Sequence, residues 1–483
     1  MVNGWRLEHS YATLPALFHA RVMPTHVARP ELVVLNRPLA RHLGLDVEAL
    51  ASPEGAAMFA GNALPPGAQP LAQAYAGHQF GHFTALGDGR AILLGEQITP
   101  GGERVDVQLK GAGPTPYSRR GDGRAATGPM LRELIVGEAM HALGIPTSRA
   151  LAVAATGEPV YRERPLPGAV LTRIAASHLR VGTFEWAAAH RDADALRALA
   201  DYTVQRHYPD LAGAAQPYLA LFEAIAERQA ALVARWQLVG FIHGVMNTDN
   251  MSIAGETIDY GPCAFMDVYD PDTVFSSIDA DGRYAYGNQP AIAQWNLARL
   301  GEALLPLIDT DRARGVEAAT AVLARFADRI GAHWMAGMRA KLGLFTEEAG
   351  DERLARDLLT WMHDTRADYT NTFRMFASLG GPAARAGIDP VFGLWHRAWQ
   401  ARLARQPQDG VEVAALAQRS SPAVIPRNHR VEEALAAAEQ GDLAPLTRLL
   451  AALAAPYDHK RSDDALAEPP VGGDGTYRTF CGT

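Results

Sequence analysis

The pattern of apolar residues changes once along the chain, close to Gly182, and this change limits the folds that the chain can adopt. Before it, short apolar or alternating runs separated by glycine and proline predict β-strands. After it, apolar residues recur at helical spacing from Phe184 to Trp236 and again from Ala291 to about Pro456. The sequence of 483 residues therefore predicts an α+β protein with a first half of some five strands and one helix, followed by a mainly helical half.

The first half contains two well-defined strands and one well-defined helix. Arg90–Ile98 is an apolar run, and Val105–Lys110 alternates with a period of two. Pro129 suits the first turn of a helix that runs to about Leu143, where a Gly-Ile-Pro sequence stops it. Two further strands are predicted at Ser148–Ala155 and Ala169–Ile174.

Composition excludes several classes of function. The 45 basic and 53 acidic residues give a net charge of −8, and no block of basic residues is present, which argues against a nucleic-acid binder. No run of about 18 apolar residues predicts a membrane span. The N-terminal segment lacks the basic and then apolar pattern of a signal peptide, so we expect a cytoplasmic protein. Separately, we expect it to act as a monomer.

Lysine is scarce, which draws attention to the positions that keep it. It occurs only at Lys110, Lys341 and Lys460, and arginine supplies the other 42 of the 45 basic residues. A lysine at a strand end, paired with a glutamate on the next helix, can hold nucleotide phosphates in place. Glu133 is the expected partner of Lys110, with Glu138 on the same helix as the alternative, and a surface lysine is the plainer interpretation.

Two glycine-rich stretches flank Lys110 in the sequence: Gly87-Asp88-Gly89-Arg90 and Gly121-Asp122-Gly123-Arg124. Glycine lets backbone amides approach phosphate oxygens closely, and the arginines supply positive charge. Neither stretch completes G-x-G-x-x-G, and no Walker A loop is present. Each stretch by itself equally predicts a turn.

The segment 240–270 contains the most specific pattern. His243 and Asn250 have the spacing of the histidine and the metal-binding asparagine in a protein-kinase catalytic loop, and Asp259-Tyr260-Gly261 matches the D-F-G element, whose aspartate holds Mg²⁺. Val245 stands where a kinase has its catalytic aspartate. Either the enzyme is inactive or another carboxylate does the work, and Asp249 is the natural substitute; two Asx-type turns are the alternative interpretation.

Two other patterns predict metal sites only weakly. His78 and His82 have the spacing of zinc ligands, but glycines flank both and no glutamate accompanies them. Asp267, Asp270 and Asp272 match part of a calcium loop but lack its glycine and its terminal glutamate. We expect these residues to have structural roles.

Longer strings of residues identify a family. The segments YAGHQFGHFTALGDGRAILLGE, QLKGAGPTPYSRRGDGRA, GEAMHALGIPTSRAL, VLTRIAASHLRVGTFEW and GFIHGVMNTDNMSIAGETIDYGPCAFMD, with the C-terminal PYD and TFCGT, resemble the selenoprotein O family, also called the YdiU family. Its members are protein adenylyltransferases with a protein-kinase-like bilobal fold. The resemblance implies an N-terminal extension, a β-rich N-lobe with one key helix, a larger helical C-lobe and a C-terminal extension, at 1–75, 76–182, 183–410 and 411–483.

The resemblance also implies an activity. AMP would pass from ATP to Ser, Thr or Tyr hydroxyls of proteins, and pyrophosphate would leave, because the nucleotide is turned over relative to kinases. Asp249 would be the base, Asn250 and Asp259 would bind Mg²⁺ or Mn²⁺, and Lys110 would contact the phosphates and pair with Glu133. The other residues implied at the ATP site are Gly87, Gly89, Arg90, Asp122, Gly123, Arg173 and Arg180.

Several alternatives stay open at this point. An ordinary phosphotransferase would move the γ-phosphate, and Val245 counts against it. A uridylyltransferase that uses UTP with Mn²⁺ would use the same residues. A non-catalytic scaffold would bind nucleotide without turnover, and the intact set of Lys110, Asp249, Asn250 and Asp259 argues against it. Some family members carry selenocysteine near the C-terminus, where this chain has Cys481. A Cys263–Cys481 disulfide would then act as a redox switch, whereas two free thiols are the usual state in cytosol.

Overall fold

A large antiparallel sheet organises the first half of the chain. The computed structural model describes residues 3–460, 464–471 and 477–479. Seven strands form the sheet in this spatial order: His19–Arg21, Leu71–Gln73, Ala91–Ile98, Arg104–Lys110, Pro165–Ala175, Arg149–Tyr161 and Glu31–Leu35. Two shorter strands complete the nine: Leu7–Glu8 pairs with the third strand, and Ala125–Ala126 pairs with the fifth. The α+β expectation is thus confirmed, and the sheet is larger than the five strands expected.

The additional strands come mostly from the first 75 residues. Their segments in the sheet are two to five residues long, which is too short for an alternating pattern to be recognised in the sequence. The hairpin of Arg149–Tyr161 and Pro165–Ala175 is also longer than predicted. The register of the hairpin shifts after Ala155, and the two strands then continue to pair as far as Tyr161 and Pro165. The apolar pattern has already ended there, so the sequence did not predict this part.

One helix, Thr127–Ala142, covers the sheet and is buried along most of its length. Leu131 and Leu134 pack in one core with Val153 and Leu171 of the strands. The same core includes side chains from the helices Asn428–Glu439 and Ala444–Leu453, so the C-terminal part of the chain returns to the first half. Three short helices lie between the strands Glu31–Leu35 and Leu71–Gln73 in the sequence: Arg37–His42, Val47–Leu50 and Pro53–Phe59.

The second half is helical, as expected. The long helix Pro217–Val239 lies at its centre and ends at Gly240, whose φ of 71° is the left-handed value that favours glycine at a helix end. Besides Asn428–Glu439 and Ala444–Leu453, the other α-helices of this half are Val181–Ala189, Ala193–His207, Gln289–Ile308, Arg312–Ala324, Phe326–Lys341, Asp351–Asp364, Tyr369–Met375, Gly381–Ile388, Pro390–Leu403, Gly410–Ser420 and Asp464–Ala467. Among the described helices, none is both long enough and apolar enough to cross a membrane.

Two small sheets lie outside the main one. The hairpin Ala76–Gln79 with His82–Ala85 follows the first strands of the main sheet. The strands Phe241–Ile242 and Ala264–Phe265 bracket the segment that contains His243, Asn250 and Asp259. Because these two strands pair, the two ends of that segment are held together, and the residues between them form one compact loop.

Lys341 is buried in the core of the helical half. Its side chain is 2% exposed, and its Nζ lies 4.5 Å from the ring centre of Phe373 and 5.8 Å from that of Tyr369. None of the ion pairs in the described part of the chain includes it. Burial lowers the pKa of Lys341 from 10.5 to about 7, because the charged ammonium loses its hydration.

This burial predicts a pH dependence of stability. Between about pH 7 and pH 10 the unfolded chain binds a proton at Lys341 that the folded chain has released, so this residue makes stability rise with pH. Replacing it by methionine removes this contribution. Urea unfolding should show that the stability of the wild type relative to Lys341→Met increases by on the order of 2 kcal/mol from pH 7 to pH 9. Lys460→Met, at an exposed lysine, is the control, and equal pH dependence of all three proteins would contradict the prediction.

Candidate active site

Three cationic side chains converge on the carboxylate of Asp259. Lys110 Nζ lies 3.0 Å and Arg173 Nη1 lies 2.7 Å from Asp259 Oδ1, and Arg180 Nη1 lies 2.5 Å from Oδ2. Glu133 supplies a second carboxylate, 2.6 Å from Lys110 Nζ and 3.4 Å from Arg173 Nη1. The expected pair of Lys110 and Glu133 is therefore part of a larger network of charges.

The network holds Asp259 in its ionised form. Burial by itself would raise its pKa, but Arg173, Arg180 and Lys110 together hold the pKa of Asp259 well below its usual range. Three cations face two carboxylates in direct contact, and the residues that line the surrounding cavity include more basic than acidic side chains, so the site has a surplus of positive charge. Such a surplus in a partly buried site is what a bound phosphate chain would neutralise.

Strand pairing explains why these side chains meet. Lys110 and Gln108 are two residues apart on one strand and so project from the same face of the sheet. Arg173 lies directly opposite Gln108 on the neighbouring strand, and its Nη2 donates to Gln108 Oε1 at 2.6 Å. Arg180 comes from the N-terminus of the next helix. The two arginines thus converge by folding and do not share a helical face.

Glu133 is the partner of Lys110, and Glu138 is not. Glu138 lies one further turn along the same helix and binds Arg149, with Oε2 2.6 Å from Nη2. The sequence left both glutamates open, because both project from a helix that follows the lysine strand. Residues five apart on an α-helix lie on different sides of it, and the fold places the side of Glu133 against Lys110.

The loop between the two short strands presents its polar groups to the same place. His243 is buried, and its Nε2 lies 2.9 Å from the carbonyl oxygen of Ile258, next to Asp259. Asn250 Nδ2 donates to the carbonyl oxygen of Val245 at 3.0 Å. Asp259 itself has a φ of 61°, a backbone conformation that is uncommon for a residue with a side chain. Such strain is often stored at functional sites.

Asp249 is the second acidic group of the loop. It is 8% exposed, and its Oδ1 has no hydrogen-bond partner among the residues that the structure describes. Burial raises the pKa of Asp249 to about 6, while the nearby charge of Arg180 opposes the rise. Arg180 Nη1 also donates to the carbonyl oxygen of Asp249 at 2.6 Å, which ties the backbone of the loop to the cationic cluster.

A cavity of about 970 Å³ brings the candidate residues together. This volume is within the range of small-molecule and cofactor sites. All of the nucleotide, metal and base candidates line it: Gly87, Gly89, Arg90, Lys110, Asp122, Gly123, Glu133, Arg173, Arg180, Asp249, Asn250 and Asp259. The two glycine-rich stretches therefore lie on the walls of one cavity, although 30 residues lie between them in the sequence.

Sequence reasoning missed two residues of this site. Asp88 is buried on the cavity wall, and its Oδ2 accepts from Gln108 Nε2 at 3.0 Å. Gln108 in turn accepts from Arg173, so the three residues form a chain that ends at Asp259. The signal for Gln108 was its position two residues before Lys110, on the same face of the strand.

The two weaker metal patterns do not form metal sites in the described residues, where no group of three or more His, Cys, Asp or Glu side chains is placed to hold a metal. His78 Nδ1 lies 2.5 Å from Glu185 Oε1, whereas His82 is exposed on the next strand. Asp267 forms an ion pair with Arg427. Asp270 accepts from the backbone N–H of Asp272 in a turn.

The residues present fit a divalent cation bound together with phosphates. Asn250 uses its amide nitrogen on Val245, which leaves its amide oxygen as a ligand atom, and Asp259 supplies an ionised carboxylate. One carboxylate and one amide oxygen suit Mg²⁺ or a similar hard cation, because such ions usually take their other ligands from phosphate and water.

The C-terminal tail approaches this site. Thr479 Oγ1 donates to the carbonyl oxygen of Pro262 at 2.6 Å, and Tyr477 Oη accepts from Arg132 Nη1 at 3.1 Å. Cys263, next to Pro262, is buried. Cys481 lies outside the described residues, so the pairing of the two cysteines stays a prediction.

Together these features define a site of the nucleotide-binding class: a cationic cluster, glycine-rich walls, oxygen atoms that suit a hard cation and a buried carboxylate around one cavity. A family model described as "Protein adenylyltransferase SelO" matches residues 4–454. The chain belongs to this family, and it is a nucleotidyltransferase.

Individual relatives agree with this assignment. A "Protein nucleotidyltransferase YdiU" of Bacillus cytotoxicus is 58% identical over 482 residues, covering 100% of this chain and 98% of the relative. A protein of the same description from Brevibacillus brevis is 60% identical, and the match covers 99% of this chain and 98% of the relative. Another from Anoxybacillus flavithermus is 59% identical, and the match covers 100% of both chains.

Glu133 and Glu138, which lie on the same helix, Thr127–Ala142, provide a matched test of the site. Glu133→Gln removes the charge that holds Lys110 and Arg173 in place, so nucleotide turnover should fall on the order of tenfold or more. Glu138→Gln removes a similar ion pair with Arg149 and should leave turnover within about twofold of the wild type. Steady-state kinetics of the two variants measure this, and equal losses in both would show that the cluster has no special role.

Proposed function

We propose that this chain transfers AMP from ATP to the hydroxyl groups of Ser, Thr or Tyr residues in other proteins, with release of pyrophosphate. The observation that supports this best is the position of Asp249. Its buried carboxylate lines the same cavity as the cationic cluster, and one of its oxygens has no hydrogen-bond partner among the described residues. A carboxylate in this state is suited to accept the proton of an incoming hydroxyl.

The mechanism follows from the charges. Lys110, Arg173 and Arg180 bind the phosphates and neutralise the negative charge that develops on them. Asp249 orients the acceptor hydroxyl and takes its proton as the oxygen attacks the α-phosphorus in line with the leaving pyrophosphate. Glu133 keeps Lys110 extended towards the nucleotide.

Asn250 and Asp259 are the proposed metal ligands. When bound, Mg²⁺ or Mn²⁺ would neutralise phosphate charge and orient the phosphates for attack. The ionised state of Asp259, maintained by its three cationic neighbours, is the state that a metal requires.

A basic rim at one end of the cavity supports the choice of the α-phosphate. Arg124, Arg162 and Arg164 line the cavity there, and Arg162 Nη1 lies 2.8 Å from Asp122 Oδ2. Outer phosphates bound among these arginines and the second glycine-rich stretch would leave the α-phosphate to react. The matching family is described as an adenylyltransferase, which supports the same choice.

We further propose that the architecture is that of a protein-kinase-like bilobal enzyme, with lobes at 76–182 and 183–410 and extensions on both sides. Two features support this. Lys110, at the end of a strand, forms an ion pair with Glu133 of the helix, and Asp259 of the loop at 240–270 contacts the same lysine. Strands from residues before 76 join the same sheet as the N-lobe, so this extension is continuous with it.

The test is mass spectrometry of an acceptor protein after incubation with the purified enzyme and ATP, with Mg²⁺ or Mn²⁺. We expect a gain of one AMP, and a loss of this product by on the order of 100-fold in Asp249→Asn and Asp259→Ala. Asp272→Asn, an exposed aspartate of the same region, is the control and should retain the activity.

Other products would contradict the proposal in distinct ways. A gain of one phosphate would indicate an ordinary phosphotransferase. A gain of UMP from UTP with Mn²⁺, and none from ATP, would indicate a uridylyltransferase, which the wider term nucleotidyltransferase in the names of the relatives also covers. Nucleotide binding without any product would indicate a scaffold.

We also propose that Cys263 and Cys481 form a disulfide that controls access to the site. The support is that Thr479 binds Pro262, which brings the described end of the tail beside Cys263. Peptide mapping without reductant should recover the linked peptides, and reduction or Cys481→Ser should change the rate of transfer. Recovery of both cysteines as alkylated single peptides from oxidised protein would contradict this.

A further inference from the structure

The hairpin Ala76–Gln79 and His82–Ala85 is attached to the loop that contains Asp249. The backbone N–H of His78 donates to Thr248 Oγ1 at 2.7 Å, and the backbone N–H of Phe80 donates to Asn247 Oδ1 at 3.0 Å. These two bonds engage the residues immediately before Asp249. The position of the loop is therefore coupled to the position of the hairpin.

Glu185 links the hairpin to the loop that contains Asp249. It comes from the helix Val181–Ala189, and its side chain is buried. Its Oε1 lies 2.5 Å from His78 Nδ1, and its Oε2 accepts from Thr248 Oγ1 at 2.6 Å. One carboxylate thus bridges the hairpin and the loop with both of its oxygens. The rings of Phe83 and Trp295 pack edge-on against His78.

Two glycines allow the backbones to approach closely at this junction. A Cβ on Gly77 would overlap the carboxylate of Asp249, with Asp249 Cγ only 2.7 Å away. A Cβ on Gly182, in the Glu185 helix, would overlap the carbonyl oxygen of Ala76. Gly77 has no positive φ, so glycine is needed there for space and not for backbone conformation.

The carboxylate of Asp249 therefore rests against the hairpin. Because its Oδ1 has no hydrogen-bond partner among the described residues, contact with Gly77 is what limits its rotation on that side. The hairpin can impose this limit only while it is held in place, and the bridge through Glu185 holds it. Glu185 does not line the cavity, so it acts on the site only through other residues.

We propose that Gly77 and Glu185 are positioning residues for the base: Gly77 sets the orientation of the Asp249 carboxylate, and Glu185 fixes the hairpin that presents Gly77. This inference rests on the proposed role of Asp249 in AMP transfer. It predicts that the rate of the chemical step depends on both residues. Nucleotide binding, which we assign to the cationic cluster and the glycine-rich stretches, should not depend on them.

Gly77→Ala is the direct test. The added methyl group must displace the Asp249 carboxylate, so kcat for AMP transfer should fall on the order of 100-fold, the usual cost of a misplaced catalytic group. The dissociation constant for ATP, measured by calorimetry, should stay within about twofold of the wild type. A parallel loss of ATP binding, or an unchanged kcat, would overturn the proposal.

Glu185 is tested with a conservative pair. Glu185→Ala removes both bonds of the bridge and should lower kcat by about tenfold. Glu185→Gln keeps the shape and one acceptor oxygen for Thr248, and should recover most of the loss. Asp351→Asn disrupts a buried pair with Arg402 in the helical half, so it controls for destabilisation and should leave kcat unchanged. Failure of the glutamine variant to recover activity beyond Glu185→Ala would count against positioning.

A crystal structure of Gly77→Ala separates this proposal from the proposed function. If the wild type transfers no AMP, the proposed function fails, but the displacement of the Asp249 carboxylate can still be measured. A carboxylate that rotates away from residue 77 supports the positioning role. A carboxylate in the wild-type orientation, with the methyl group accommodated elsewhere, overturns it.

Discussion

The carboxylate of Asp259 is held by three cations that arrive from three different segments of the chain. Lys110 comes from the centre of the sheet, Arg173 from the neighbouring strand and Arg180 from the start of a helix. Removing a carboxylate from water is costly, and an incomplete set of partners would leave buried charge uncompensated. The sheet, the helix and the loop must therefore close on one another before the cluster is stable. The packing of these three elements around Asp259 also fixes the positions of the residues that line the cavity.

The second organising constraint is space. The hairpin, the helix that begins at Val181 and the loop before Asn250 meet where glycines permit backbone contact, and the bridge through Glu185 keeps them there. The first constraint concerns charge and brings together the cations that we propose bind the phosphates. The second concerns shape and sets the orientation of the carboxylate that we propose as the base. The two share Arg180, which binds both Asp259 and the backbone of Asp249, so charge and shape are coupled at one side chain.

Much of the site could be predicted, because its residues follow one another at recognisable spacings. The residues from His243 to Asp259 lie in one loop, as their spacing predicted, and Lys110 forms an ion pair with a glutamate of the expected helix. The place of Gln108 on the same strand face as Lys110 could be predicted, but the partners of Gln108 and Glu185 could not. Their partners are 65 and 107 residues away in the sequence, and a polar residue on a strand or helix does not by itself indicate which distant group it will bind.

The sequence by itself determined the α+β class, the change near Gly182 and the set of charged residues, since periodicity and composition are local properties. It also identified the family, because long strings of residues resemble one another whatever their conformation. Only the tertiary structure decided that Glu133 and not Glu138 binds Lys110, that strands of the first 75 residues complete the sheet, and that Gly77 touches Asp249. These outcomes depend on the relative placement of elements, which packing and burial decide over the whole molecule.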